Sequence, residues 1–424
     1  MSKVLRFADL FAGIGGIRLG FEAACGELGI KTKCVFSSEI NPNSQETYKE
    51  NFGELPSGDI REVQALPEVD VVLGGFPCQT FSYAGKRMGF GDTRGTLFFE
   101  IERLISIAEK KPKLLILENV RGLITHDNGR TLKTILKHIE ELGYGVEYLL
   151  LNSSNFGVPQ NRMRIYIVAI HGVRPSLTLK SDRGAADSHK YKSVQKQINL
   201  FEENRRTCVS DILENRVDKK YLCSEEFSRR VIDAVNGDLE KLNGVRLIDY
   251  RGGNSIHSWD IGLKGECTED EKEFMSLLIS NRRKKHFGTH QDGKRLSLEQ
   301  CKTFYTKKNI EKVIKSLLSK GYLSEADNGI NPVSGNMSFE VFKFLDPNSI
   351  SITLVSSDSH KLGVVHKGKL RRITPRECAR LQSFPDSFKI HPKDSLAYFQ
   401  FGNSVTVKVV TTLALDILKN NKIA

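Results

Sequence analysis

The chain has 424 residues and a formal net charge of +12, with 27% charged and 39% hydrophobic residues. That length accommodates two or three domains with sizeable cores, and the basic excess points to a polyanionic partner. No apolar run reaches the roughly 18 residues a membrane span needs, and the N-terminus lacks the pattern of a secretory signal. The eight cysteines form no C-x-x-C pair, which argues against a zinc site or a disulfide framework and fits a reducing cytosol.

In chain order, Leu5 to Phe11 is apolar apart from Arg6 and Asp9 and suits a central strand. It runs into Phe11-Ala12-Gly13-Ile14-Gly15-Gly16, followed by a segment of helical character from Ile17. Strand, glycine-rich turn and helix open a nucleotide-type site, in which a ligand approaches bare backbone. The spacing is G-x-G-G rather than G-x-G-x-x-G, and no Lys-Ser/Thr follows to hold a triphosphate. The next strand, Lys33 to Ser38, ends at Glu39, which is placed either to accept from a ribose diol or to precede the helix beginning at Asn41-Pro42. Gly58-Asp59-Ile60 supplies a side chain and an apolar neighbour for an adenine ring. Together these features suggest an adenosyl ligand without a polyphosphate, with S-adenosylmethionine the natural candidate.

Val69 to Leu73, broken only by Asp70, reads as a buried parallel strand. It leads into Gly74-Gly75-Phe76-Pro77-Cys78-Gln79, a thiol on a stiff loop at the carboxyl end of a strand, where α/β sheets bind ligands. Cys78 is thus a candidate nucleophile, although most free cysteines are simply core residues. A small-residue loop, Phe81 to Lys86, follows and has the composition of a lid. The strand Lys113 to Leu117 ends in Glu118-Asn119-Val120, a carboxylate aimed at the same crevice or a helix N-cap region. Tyr148 to Asn152 reads as a further strand, and Gln160-Asn161-Arg162-Met163-Arg164 places two guanidiniums in alternation at the start of another.

The segments Asp9 to Gly16, Gly74 to Gln79, Glu118 to Val120 and Gln160 to Arg164, with Arg372 to Glu377 and Phe401 to Val405 near the C-terminus, resemble in order and spacing the DNA cytosine-5 methyltransferase family of bacterial restriction-modification type. The likeness covers roughly residues 4–170 and 369–420. It implies an α/β fold: a Rossmann-like S-adenosylmethionine-dependent methyltransferase domain with a separate mixed α+β target-recognition domain. It also implies that Cys78 adds as a thiolate to C6 of a flipped cytosine, and that Glu118 hydrogen-bonds N3 with a raised pKa. Arg164 would hold the base's O2, and Arg162 would brace Glu118 or a nearby phosphate. For the cofactor, the resemblance implies Phe11, Gly13, Gly15, Gly16, Glu39, Asp59, Ile60, Pro77, Asn403 and Ser404. Gln79 and Ser82 would surround the extruded nucleotide.

The expected division is a catalytic domain over 1–180, a target-recognition domain over 181–368, and a segment over 369–424 that packs back on the first. Within the middle region, residues 281–320 carry twelve Lys/Arg against three Asp/Glu. Arg282, Arg283, Lys284 and Lys285 are expected to meet phosphates, which set affinity rather than sequence choice. Thr353, in a Thr-Leu pair the family places in its target region, is expected near the target phosphate. Helices up to Leu323 followed by alternating strands at 338–355 resemble a winged helix near 270–355, or equally a generic helical insertion. The expected partners are double-stranded DNA and, without direct contact, a restriction endonuclease acting on the same site. The expected setting is a monomer in the bacterial cytosol, with no metal and no membrane. RNA cytosine-5 methylation and a non-catalytic DNA-binding regulator are the alternatives. The large basic middle region disfavours the first, and the intact Cys78, Glu118, Arg162 and Arg164 disfavour the second.

Overall fold

A computed structural model describes residues 4–77, 97–182, 207–250, 252–288, 294–327, 329–333 and 339–423. Cys78, Gln79 and Ser82 lie outside the described residues. The chain forms two compact units. The first comprises Met1–Ile212, Ile350–Ser359 and Pro375–Ala424, and the second Leu213–Ser349 and His360–Thr374. Residues 207–212 and 350–359, expected in the middle region, therefore cluster with the first unit, and 369–374 with the second.

The first unit begins β1 (Leu5–Leu10), α1 (Gly16–Glu27), β2 (Thr32–Ser38), α2 (Pro42–Phe52), β3 (Val71–Gly75), α3 (Leu97–Ser106) and β4 (Leu114–Val120). It continues through α4 (Arg130–Glu141), β5 (Tyr144–Asn152) and β6 (Met163–His171). The strands form one sheet in the order β2-β1-β3-β4-β6-β5. The first four run parallel, and β6 is antiparallel to both its neighbours. The central strands are rich in apolar residues because both faces are covered. Phe7, Val71, Leu73 and Ile116 pack to one side, and Leu10, Val72, Leu115 and Leu117 to the other. The strand order reverses direction between β1 and β3, and the crevice beyond their carboxyl ends is where such sheets bind ligands.

The second unit holds α5 (Glu225–Ala234), β7 (Arg246–Leu247), β8 (Ser255–Ile256), α6 (Glu269–Asn281), α7 (Leu298–Lys302) and α8 (Ile310–Ser319). It then forms β9 (Leu323–Ala326), β10 (Gly329–Pro332), β11 (Lys343–Leu345), β12 (Leu362–His366) and β13 (Lys369–Arg372). A five-stranded sheet runs β13-β12-β11-β7-β8, while β9 and β10 form a separate antiparallel pair. The expectation of one strand set over 338–355 after the helices is therefore corrected. The strands that follow α8 directly are β9 and β10, β11 joins the larger sheet, and Ser351 to Leu354 sit in the first unit. Short alternating runs look alike whichever sheet they join.

Back in the first unit, α9 (Pro375–Leu381), α10 (Asp394–Asn403) and α11 (Val407–Asn420) complete the chain. The stretch Asp394–Asn420 is long and apolar enough to cross a membrane, but 61% of its most apolar window is buried inside the protein. It is a core element. α11 contributes Val409, Val410, Leu413 and Ile417 to the core beside Phe7 and Phe21. The approach of α11 to α1 depends on Gly20, where a Cβ would stand 2.6 Å from Val410 Cβ and 2.9 Å from the Val407 carbonyl oxygen. Backbone cannot yield as a side-chain tip can. Gly20→Ala should therefore destabilise the protein by roughly 1–3 kcal/mol, read as a lowered Tm. An unchanged Tm would show that the two helices part without cost.

Candidate active site

β1 delivers the chain into a turn with three positive φ angles, at Phe11 (54°), Gly13 (55°) and Gly15 (83°). A non-glycine residue in this region is strained, and such strain gathers at ligand sites. The turn is held by Glu39, whose two carboxylate oxygens accept from the backbone N–H of Gly13 and of Asn41, each at 2.8 Å. The glycines serve different ends. A Cβ at Gly13 would meet nothing within 4 Å, so its backbone faces open space. At Gly15 a Cβ would strike the Phe52 ring at 2.2 Å, and at Gly16 it would come within 2.7 Å of Ser404 Oγ. Gly15 thus permits packing on α2, and Gly16 lets the loop after α10 close over the turn.

That closure makes an open cleft lined by Phe11, Gly13, Gly75, Glu118, Asn403 and Ser404 among others. Ser44, Phe399 and Gln400 also line it; nothing in their local sequence marks them. Glu118 is the sole charged residue of the lining, and no Lys or Arg faces the space among the described residues. An adenosyl group without phosphates fits such a wall of aromatic ring, bare backbone, amide and hydroxyl. Asp59 and Ile60 do not line this cleft. Asp59 caps the turn Ile60–Glu62 and pairs with the Arg61 guanidinium, while Ile60 is 4% exposed in the core. Pro77 is exposed, immediately after the buried Phe76.

Glu118 stands near the carboxyl end of β4, opposite Tyr166 on β6. Its side chain is 12% exposed and pairs with Arg164 Nε at 3.1 Å. Burial raises its pKa above the usual glutamate value, against the opposing pull of Arg164 and Arg162. Gly75 lies beside it, where a Cβ would make an ordinary contact of 3.5 Å with Glu118 Oε2. The neighbouring Asn119 is buried, and its side-chain amide donates to the Phe76 carbonyl at 2.8 Å. It therefore fixes the backbone two residues before Cys78. Sequence alone assigns Asn119 no role, although it lies inside the Glu118-Asn119-Val120 motif.

Arg162 does something other than expected. It is buried, and its guanidinium donates to the Leu354 carbonyl at 2.7 Å, to the Gly402 carbonyl at 3.3 Å and to the Ser404 carbonyl. Among the described residues it makes no ion pair, and burial lowers its pKa to about 9. The residue that braces Glu118 is Arg164. Gln160 works beside Arg162, donating to the Leu381 carbonyl at 2.7 Å and accepting from Leu354 N–H at 2.9 Å. Gln382 donates to the Phe401 carbonyl at 2.9 Å and accepts from the Thr406 hydroxyl at 2.9 Å.

The C-5 cytosine-specific DNA methylase family model matches residues 5–419. The chain belongs to that family. It is similar to the type II methyltransferase M.BanI of Aneurinibacillus aneurinilyticus, 63% identical over 98% of this chain and 96% of the relative. It is also similar to M.HgiCI of Herpetosiphon aurantiacus, 61% identical over 99% of each. Among solved structures it resembles DNMT2 of Spodoptera frugiperda, in a mutant form, with a TM-score of 0.52 and 18% identity, covering 98% of this chain and 99% of that one. That likeness speaks for the α/β methyltransferase fold.

Thr353 and the basic run 282–285 are not among the residues that line the cleft of this family member. Thr353 lies in the first unit, and its hydroxyl donates to the Asn161 carbonyl. In the second unit Arg283, Lys284 and Lys285 are exposed, but Arg282 is 4% exposed. It lies at the C-terminal end of α6, where its backbone N–H bonds to the Leu278 carbonyl and burial sets its side chain apart from the exposed members of the run.

The raised pKa of Glu118 has a thermodynamic consequence. A carboxyl whose folded pKa lies above its unfolded value binds its proton more tightly when folded, so stability falls as pH rises from the ordinary glutamate range through the folded pKa. Glu118→Gln removes that dependence. Thermal melts across pH 4 to 8 should show the variant's Tm improving relative to the parent as pH rises. A difference that stays constant with pH would contradict the buried, proton-holding carboxyl.

Proposed function

We propose that this family member methylates C5 of a cytosine within a specific duplex sequence, using S-adenosylmethionine, with the base turned out of the helix. The observation that carries this reading is the placement of Glu118, which favours its protonated form, in one cleft with the Phe11–Gly16 turn and with Asn403 and Ser404. C5 of cytosine is a poor nucleophile until the ring is saturated at C6. The Cys78 thiolate forms the S–C6 bond while protonated Glu118 donates to N3, which leaves an enamine at C5. S-adenosylmethionine, when bound, supplies the electrophilic methyl group. Phe11 would pack on its adenine, Glu39 would accept from the ribose, and Asn403 and Ser404 would hold its amino-acid end. After transfer, removal of the C5 proton and cleavage of the S–C6 bond regenerate Cys78.

Arg164 has two tasks in this scheme. It keeps the Glu118 carboxyl oriented through Nε, Nη1 donates to the Met163 carbonyl at 2.8 Å, and Nη2 is the donor offered to the cytosine O2. Asn119 holds the backbone at Phe76, which sets the depth from which Cys78 must reach. Pro77 stiffens the same approach, and Gln79 and Ser82 are the proposed neighbours of the turned-out nucleotide. A base stacked inside a duplex cannot present its C6 to an enzyme's nucleophile, hence the turning out.

The type II relatives support a setting in which the protein protects sites from an endonuclease that it need not touch, and we propose that it does so as a monomer in the bacterial cytosol. Bisulfite sequencing of DNA from cells expressing the protein should show one short sequence converted to 5-methylcytosine. Cys78→Ser should abolish that signal while still binding duplex. Glu118→Gln should slow methyl transfer by about 10²–10⁴-fold with cofactor affinity little changed. Near-normal turnover in Cys78→Ser, or a pure binding defect in Glu118→Gln, would refute the roles of nucleophile and proton donor.

A further inference from the structure

Within the second unit, α6 to β10 have a topology of their own. Leu296 and Ile330 exchange both backbone hydrogen bonds, Leu296 N–H to Ile330 at 3.0 Å and the reverse at 2.9 Å. Since β10 also pairs with β9, the strand positions lie in the order 296, β10, β9. Helix, strand, helix, helix, strand, strand with that pairing is the arrangement of a winged helix, with α7 and α8 as its helix-turn-helix. One apolar core unites it, including Phe274, Leu278, Leu296, Cys301, Val313 and Leu317. Both α6 and α7 begin with complete capping boxes, at Thr268/Glu271 and Ser297/Gln300, so the local sequence specifies these helix starts.

α8 is two-faced. Ile310, Val313, Ile314 and Leu317 are buried, while Lys308 just before it and Glu311, Lys312 and Lys315 on it are exposed. The spacing of 311, 312 and 315 puts these three on one side of α8, and Lys308 precedes its N-cap, Asn309. Their partnering is what separates them from their neighbours. Lys272, Lys302, Lys307 and Lys320 are each tied to a carboxylate. The side chains of Lys308, Glu311, Lys312 and Lys315 make no hydrogen bond or ion pair among the described residues. Two free ammonium groups on the second helix of a helix-turn-helix, with a third just ahead of it, match the charge of duplex DNA. Phosphate attraction alone would leave Glu311 a liability, because a carboxylate is repelled there. In the major groove it has a use, accepting from the cytosine N4 amino group, as lysine donates to guanine O6 and N7.

We propose that α8 is the helix that enters the major groove of the recognised duplex, with Glu311, Lys312 and Lys315 reading base edges and Lys308 meeting the backbone. This rests on the protein acting on duplex DNA, and it adds which element chooses the sequence. The β9–β10 pair carries the exposed Glu325 and Asp327, so it stays clear of phosphates and leaves the reading to α8. Arg283, Lys284 and Lys285 flank α6 instead and supply attraction without sequence content.

The test is selection of a random-sequence duplex library by the purified protein, by Glu311→Gln, by a Lys312→Ala/Lys315→Ala double variant and by Lys284→Ala/Lys285→Ala, each checked for folding by its melting curve. The parent should enrich one motif containing G·C pairs. Glu311→Gln should lose discrimination at one position, by roughly fivefold to a hundredfold, and the α8 double variant should lose it at others. The 284/285 variant should bind every sequence more weakly, with a shallower salt dependence and an unchanged motif. An unchanged motif in both α8 variants, or uniform weakening in them, would overturn the proposal, as would a parent that enriches nothing. Selection reads binding, so a failure of methyl transfer in bisulfite sequencing would count against the proposed chemistry and not against α8.

Discussion

A buried cation that forms no ion pair among the described residues is the constraint on which the first unit depends. The Arg162 guanidinium meets carbonyls of Leu354, Gly402 and Ser404, which lie 192, 240 and 242 positions away in sequence. Taking a guanidinium out of water costs several kcal/mol even after relaxation, and only charge-assisted hydrogen bonds from a fixed planar fork offset it. The same three bonds solve a topological problem. The chain leaves the first unit after Ile212, returns for Ile350–Ser359, and returns again at Pro375. Arg162 joins both returning stretches to the start of β6.

Its neighbours make the join specific. Gln160 takes the Leu354 N–H and gives to the Leu381 carbonyl, and Thr353 bonds back to the Asn161 carbonyl. At Gly402 a Cβ would come within 2.4 Å of the Ser356 backbone nitrogen, so the two returning stretches touch directly. Gln160 and Arg162 are buried and Thr353 partly so, and the need to pair these groups leaves few alternative registers. The site inherits this rigidity from both sides. Two residues along from Arg162, Arg164 holds Glu118, while Asn403 and Ser404, on the loop the clamp grips, form the opposite wall of the cleft.

Much of this was legible in the sequence, and the reasons are physical. The glycine-rich turn and the carboxylate closing β4 are features of local chain, where strand, turn and polar residue are contiguous. Six motifs in order then point to the family. What sequence could not reveal was the partner of each polar side chain. Arg162 and Arg164 alternate and look equivalent, yet one faces carbonyls from distant stretches and the other a carboxylate. Asp59 and Ile60 have the residue types of an adenine clamp, but Arg61 engages the first and the core absorbs the second. Arg282 opens a basic run whose other members are exposed, and burial at the end of α6 takes it out. Capped helices such as α6 and α7 announce themselves, whereas the short strands β9 to β11 differ only in which sheet they join, and that is decided far away in sequence.

The closure of the first unit by Arg162 is tested most directly by amide hydrogen exchange on Arg162→Met, a change that keeps bulk and removes the donors. Loss of the clamp should lower protection together at Leu354, at Ser404 and at Val407, whose amides bond to Gln160, Gln400 and Gln382, and should weaken cofactor binding while the sheet strands stay protected. Changes confined to the immediate surroundings of residue 162, with the amides of 354 and 404 as slow as before, would contradict it.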